Sequence, residues 1–372
     1  MGIVRSPDGN MPNIIARLLA HTKAIMGILP TGMACSHRGN PAASLKLERL
    51  YGTPVLLSGL PSLVLTNEEY AAVHHHHKLT LQRLQRLHLA TPECVVMFLA
   101  GSLPATALLH LRMLGLLGMI ASLGPNNILH NHGRHILLSA TADKNCTSWF
   151  LSVRTLCQQY SLSDPLLILQ SPQSKTKWKT LCRSKVIDWW QVKLRGEADL
   201  LPSLPHFKPA FMSLSSPHPI WTCAGSPYEV GKAVVAARML SGRYRTDRLT
   251  RHWTNSNPDG FCRLPGCEEE EGSLDHILLH CPALSLSRSK IISLISAFLV
   301  SRPELFPILY NYTIVEEHLL LQFLLDPTCL PLVITTNRTF PETFKNCLYL
   351  SRTWCYSIHL SRSKIMKELG IK

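Results

Sequence analysis

Apolar residues recur along most of this chain at helical rather than strand spacing. In residues 68–89, EEYAAVHHHHKLTLQRLQRLHL, Val73, Leu81, Leu84 and Leu87 fall close to a three-and-four repeat, with Gln82, Arg83, Gln85 and Arg86 between them. That pattern predicts an amphipathic helix with a basic outer face. The four histidines at 74–77 are consecutive, so on this helix they point in different directions and cannot together chelate one ion. Residues 94–124 are the most apolar stretch, but Gly101-Ser102-Leu103-Pro104 interrupts it and His110 and Arg112 sit in its second half. Two short helices buried in a core fit this better than a membrane span.

From 124 to 230 the texture loosens. Lys175, Lys177, Lys179, Arg183, Lys185, Lys193 and Arg195 interleave there with Trp178, Trp189 and Trp190. Two readings are open: a face that neutralises phosphates and stacks on bases, or a helix with its tryptophans in the core and its lysines in water. The Pro- and Ser-rich stretch at 201–221 then reads as a linker or an irregular packing segment, with the most natural domain boundary inside it. Beyond it Val230, Val234 and Ala237 form an apolar stripe, followed by Arg243, Arg245, Arg248 and Arg251 with Tyr244, His252 and Trp253 among them. Helical spacing would put Arg245, Arg248 and Arg251 on one broad face, led by Arg243, where they could bridge successive phosphates while Tyr244 or Trp253 stacks on a base. The competing reading pairs these arginines with Asp247 and the acidic run Glu268–Glu271.

Charge sharpens the question of partners. The chain has 372 residues, 46% of them hydrophobic and 17% charged, enough to bury one or two ordinary cores. Its formal net charge is +14, so polyanions are drawn to it, nucleic acid before an anionic membrane. The N-terminal stretch lacks the pattern of a secretory signal, and most of the twelve cysteines are irregularly spaced. A reducing intracellular compartment, nucleus or cytoplasm, is expected, with most cysteines acting as small buried apolar groups. There is no His-Glu-x-x-His, no deaminase His-x-Glu with Pro-Cys-x-x-Cys, and no P-loop.

The clearest chemical motif is FCRLPGCEEEEGSLDHILLHCPA at 261–283, where Cys262, Cys267, His276 and Cys281 make a C-x4-C-x8-H-x4-C pattern. Pro265-Gly266 can curl the two-cysteine loop, and Ser273 can cap a short helix that carries His276 and Cys281 near one face. Three thiolates and an imidazole suit a closed, structural Zn²⁺ site. His280 competes with His276 for the fourth position.

With these residues in view, SGRYRTDRLTRHWTNSNPDGFCRLPGC and the following LDHILLHCPAL resemble the zinc-binding segment downstream of the polymerase in reverse transcriptases of non-LTR (LINE-type) retrotransposons. GIVRSPDGNMPNI is similar to the strand and turn leaving the palm of those proteins. NPAASLKLERLYGTPVLLSGL and the 65–92 region resemble their helical thumb, and YLSRTWCYSIHLSRSKIM resembles their C-terminal end. The likeness is tight at 238–283 and diffuse elsewhere. It implies a mainly α fold: a thumb-like region at 1–123, a basic connecting region at 124–227, a basic helix with a zinc knuckle at 228–290, and a helical region at 291–372. The family's polymerase uses an aspartate pair to hold two divalent ions, and no Asp-Asp occurs here. The expected function is therefore a non-catalytic fragment that binds RNA or DNA through a basic surface beside a structural zinc. The alternative is a helical protein-interaction scaffold whose zinc merely staples a loop.

Overall fold

The computed structural model describes residues 10–28, 39–139, 148–251, 259–268, 270–300, 317–329 and 341–371, and within them the protein is mainly helical. The longer helices in chain order are α1 (Met11–Ile28), α2 (Pro41–Leu47), α3 (Asn67–Leu84), α4 (Glu93–Ala100), α5 (Ala105–Ser122), α6 (Ile128–Ser139), α7 (Trp149–Gln159), α8 (Pro165–Gln170) and α9 (Lys175–Asp199). Then follow α10 (Pro227–Leu240), the single turn α11 (Asp247–Thr250), α12 (Ser285–Val300), α13 (Glu317–Leu325) and α14 (Pro341–Glu368). The sole β pairing among the described residues is an isolated antiparallel bridge between Phe261 and Glu271.

Local chemistry explains the helix ends. Thr66 and Glu69 close a reciprocal capping box at the start of α3: the Glu69 amide donates to Thr66 Oγ1 at 3.2 Å, and the Thr66 amide donates to Glu69 Oε2 at 2.8 Å. Val73, Leu81, Leu84 and Leu87 are all buried, as their spacing predicts. The basic outer face is narrower than expected, because Gln82 and Gln85 are fully buried. Their amides satisfy carbonyls where the chain turns: Gln82 Nε2 donates to the oxygens of Leu89 and Thr91, and Gln85 Nε2 to those of Leu81 and Val96. The four histidines take separate surroundings. His74 bonds Glu93 at 2.8 Å, His76 bonds His21 at 2.9 Å, His77 lies buried 3.6 Å from Glu48, and His75 is exposed.

The apolar 94–124 stretch forms α4 and α5, broken where expected. Gly101 adopts φ +58°, and a Cβ there would lie 1.8 Å from the Ser216 carbonyl oxygen, so glycine is required by both conformation and space. α5 is long and apolar enough to cross a membrane, and half of it is buried inside the molecule. His110 within it meets the Tyr160 hydroxyl at 2.6 Å, and Trp178 Nε1 donates to the Leu114 carbonyl at 2.8 Å.

α9 lies along α5, and α10 lies along α14. One large buried cluster includes Leu99, Trp190, Val235 and Trp354, so all four sequence regions contribute to it. Of the two readings of the Pro- and Ser-rich stretch at 201–221, the structure shows the irregular packing segment, which joins the same cluster. Leu204, Phe207, Met212 and Leu214 are buried there, and the His218 amide donates to the Leu99 carbonyl at 3.0 Å. Arg195 holds the stretch in place through the carbonyls of Pro209 and Ala210.

Candidate functional site

Between α11 and α12 the chain makes a tight loop that ends in a π turn. Residues 260–262 and 270–272 run antiparallel, with the Cys262 amide donating to the Glu270 carbonyl at 2.8 Å and the Gly272 amide to the Gly260 carbonyl at 2.9 Å. Gly266 turns the chain with φ +78°, the left-handed conformation expected of the Pro-Gly pair. Ser273 Oγ accepts from the His276 amide at 3.1 Å, as its capping role predicts.

The turn after Ser273 departs from a regular helix, and the departure aligns the ligands. At about 100° per residue, an α-helix would leave His276 and Cys281 about 140° apart. The turn over His276–His280 is instead a π turn, closed by the Cys281 amide donating to the His276 carbonyl at 2.7 Å. Residues five apart thereby come onto one side.

Cys262, Cys267, His276 and Cys281 are all buried, and their ligand atoms lie within 4.8 Å of one another. They are the one such cluster among the described residues, and could hold a metal ion. Cys267 Sγ and Cys281 Sγ are 3.4 Å apart. His276 Nε2 is buried with no hydrogen-bond partner, while Nδ1 lies 4.0 Å from Glu270 Oε2. A buried imidazole nitrogen left without a partner among three sulfurs fits an ion at their centre, with Glu270 on the outer side of the ring. His280 is exposed, so the geometry selects His276 as the fourth donor. Hydrogen bonding from Cys281 draws the Cys262 thiol down, against the effect of its burial. The same pairing pushes Cys281 up. By contrast, burial raises Cys157, Cys182, Cys347 and Cys355 to about 12, the behaviour of inert core thiols. Three thiolates and an imidazole are compatible with zinc.

The basic residues divide. In α9, Trp178 and Trp190 are buried and Trp189 is half-buried, with Trp190 Nε1 donating to the Tyr160 hydroxyl at 3.1 Å. Of the two open readings, the buried pair follows the one that puts tryptophans in the core: they anchor the helix. Lys175, Lys177, Lys179, Arg183 and Lys185 are all exposed. Lys175, Lys179 and Arg183 stand four apart in one row beside the buried stripe, and Lys177 and Lys185 lie on its other flank.

The arginine segment does not form the predicted helical stripe. α10 stops at Leu240 in a Schellman motif: the Arg243 amide donates to the Arg238 carbonyl, and the Gly242 amide to that of Met239. Gly242 has φ +62°. Helical structure resumes only at Asp247, capped by Thr246, so Arg243 and Arg245 lie in the intervening loop. Tyr244 is buried with its hydroxyl 3.0 Å from His359 Nδ1, which removes it as a base-stacking residue. Arg248 pairs with both carboxylate oxygens of Glu271 at 3.0 Å. Arg243 and Arg251 are half-buried, Arg245 is exposed, and Trp253 lies outside the described residues.

Three basic residues of this neighbourhood escaped the sequence reading. Asp247 is buried and receives Arg263 Nε at 2.8 Å and Arg362 Nη2 at 3.3 Å. Those two arginines and Lys367 line a cavity together with Arg245. Arg362 is 115 residues from Asp247, so no local pattern could have joined them. Compared with family models, with curated proteins and with solved structures, the chain gives no match.

Proposed function

We propose that this chain is a non-catalytic nucleic-acid-binding region, similar to the thumb and zinc-binding segments of non-LTR retrotransposon reverse transcriptases. In this reading Cys262, Cys267, His276 and Cys281 hold a structural zinc knuckle, and the protein acts in the nucleus or cytoplasm. The observation that carries the reading is the exposed face of α9. Five cations fall within eleven residues, and none has a side-chain partner among the described residues. Lys175 and Lys177 occupy the first turn, which contains no acidic residue. Positive charge there opposes the helix macrodipole, at roughly 0.3–1 kcal/mol per charge. A helix that breaks this local rule on a solvent face gains its compensation from an anionic partner. The absence of an Asp-Asp pair supports a role in holding a strand rather than extending it.

The test is binding of single-stranded RNA and of duplex DNA across a salt series. The wild-type protein is expected to bind both with a steep salt dependence. Changing Lys175, Lys177, Lys179, Arg183 and Lys185 together to Ala should flatten the slope on single strands by up to about 3.5, at about 0.7 per lost contact. An unchanged slope in a variant that keeps its helical content overturns the assignment to α9. Binding by neither nucleic acid favours a protein-interaction scaffold. Incubation with primer, template, Mg²⁺ and nucleotides should yield no extension; a product lost on mutating an aspartate would overturn the non-catalytic reading.

A further inference from the structure

A cavity of about 330 Å³ lies between the loop after α10, the start of the cysteine loop and the last turns of α14. Arg245, Arg263, Arg362 and Lys367 line it, with Tyr244 and His359 among the remaining wall residues. Its size is at the small end of ligand pockets. Among the described residues the carboxylate paired with these cations is that of Asp247, which is buried and committed to Arg263 and Arg362. Arg245 and Lys367 are exposed and have no side-chain partner among the described residues.

Arg362 adds an independent observation. It is only 6% exposed, its Nη1 donates to the Arg245 carbonyl at 2.8 Å, and its Nη2 reaches Asp247. Its Nε is buried with no partner. A buried guanidinium N–H without an acceptor is costly, and native proteins leave few of them. Asp247 thus fixes the orientation of two arginine forks while leaving the rim with a formal excess of three positive charges. Planar forks held rigidly beside further cations match the oxygens of a phosphate. His359 adds no charge at neutral pH, because its burial, and then Arg362, push its pKa down.

We propose that this cavity binds one phosphate group. Resting on the nucleic-acid reading above, that phosphate belongs to the backbone of the bound strand, so the cavity is a second anchor beside α9. The test uses the full chain loaded with zinc and an Arg245→Ala, Lys367→Ala double variant. Both side chains are exposed and neither has a side-chain partner among the described residues, so the variant is expected to keep wild-type zinc content and helicity. Calorimetric titration with inorganic phosphate at constant ionic strength should show binding by the wild type and at least tenfold weaker binding by the variant. No binding by the wild type, or equal binding by the variant, overturns the site whatever RNA does. Single-stranded RNA should bind the double variant several-fold more weakly, with a flatter salt slope. If the variant loses phosphate but keeps full RNA affinity, the strand is overturned as the source of the phosphate while the site stands. If the wild type binds phosphate but no RNA, the nucleic-acid reading fails on its own.

Discussion

Two segments of this chain look alike in sequence, each with closely spaced cations and large aromatics, and the fold treats them in opposite ways. On α9 Trp178 and Trp190 go inward, and the five cations from Lys175 to Lys185 stay in water without side-chain partners among the described residues. Around 241–251 the aromatic Tyr244 also goes inward, but Arg248 is taken up by Glu271, and the segment's own Asp247 takes Arg263 and Arg362, while Arg245 stays exposed. Alternation of basic and aromatic residues therefore does not by itself mark a binding face. What separates the two is whether acids lie within reach once the chain has folded. α9 packs on α4 and α5, which offer few carboxylates, whereas the arginine segment faces the acidic edge of the cysteine loop.

The largest way to sharpen this contrast is to remove the metal. The arginine segment is tied to the cysteine loop by the Arg248 amide donating to the Gly272 carbonyl at 3.2 Å, and by Asp247 and Arg263. α9 has no such tie. Zinc bound by a structural site contributes on the order of 10–16 kcal/mol of apparent binding energy to its local fold. A chelator, or Cys267→Ser, should therefore expose the amides of 241–284 to hydrogen exchange and leave those of α9 protected. Equal loss of protection in both segments would erase the distinction. Metal analysis should find zinc in the wild type and in a His280→Ala variant but not in Cys267→Ser.

Next in size is Asp247→Asn. It leaves two arginines around a buried site without their carboxylate, and breaking a buried ion pair from one side costs about 3–5 kcal/mol. A denaturation midpoint lowered by that amount, with α9 still helical, is the expected result. A shift below about 1 kcal/mol would mean that water replaces the aspartate.

The corresponding anchor for α9 is the network of Trp190, Tyr160 and His110. Trp190 donates to the Tyr160 hydroxyl, which also bonds His110 Nδ1. Burial pushes the His110 pKa down from 6.5 to about 4. The unfolded chain takes up the proton first as pH falls, so this contribution is complete above about 6.5 and is lost on descending towards 4. At about 1.36 kcal/mol per pH unit it amounts to no more than about 3.4 kcal/mol. His76, lowered to about 4 mainly by burial, runs in the same sense. His110→Asn keeps an acceptor for Tyr160 and removes the titration, so its stability should fall less steeply than the wild type's between pH 6.5 and 4. Parallel curves would exclude His110 as a cause.

Local chemistry made much of this legible in the sequence. The apolar stripe of α3, the break at Gly101–Pro104, the four metal-site positions and the Ser273 cap each lie within one continuous stretch of chain. The arginine spacing gave no warning of the end of α10, which Gly242 and the Thr246 cap impose. Other features depend on distant partners and leave no local trace. Gln82 and Gln85 are buried because distant carbonyls need donors, and Asp247 gains its role from Arg362, on the last helix. Read from sequence, His276 and Cys281 fall near one face of a helix, but α periodicity would separate them by about 140°, and it is the π turn that brings them together.

The smallest effect tests the comparison most directly. Arg248 and Glu271 form a two-pronged ion pair with both side chains about half exposed, 57% and 47%. Exposed pairs contribute roughly 0.2–1 kcal/mol, so Arg248→Ala should lower stability by no more than that. If the pair also takes Arg248 out of the nucleic-acid surface, the same change should leave RNA affinity and its salt slope nearly untouched, whereas removing the α9 cations lowers both. Glu271→Gln gives the converse: it frees Arg248 while leaving the backbone bridge to Phe261 intact, and should strengthen RNA binding slightly and steepen the slope by about 0.7 for one added contact. Weaker binding after Arg248→Ala with Glu271 present would show that the arginine leaves its carboxylate for a phosphate, and the two basic segments would then act alike.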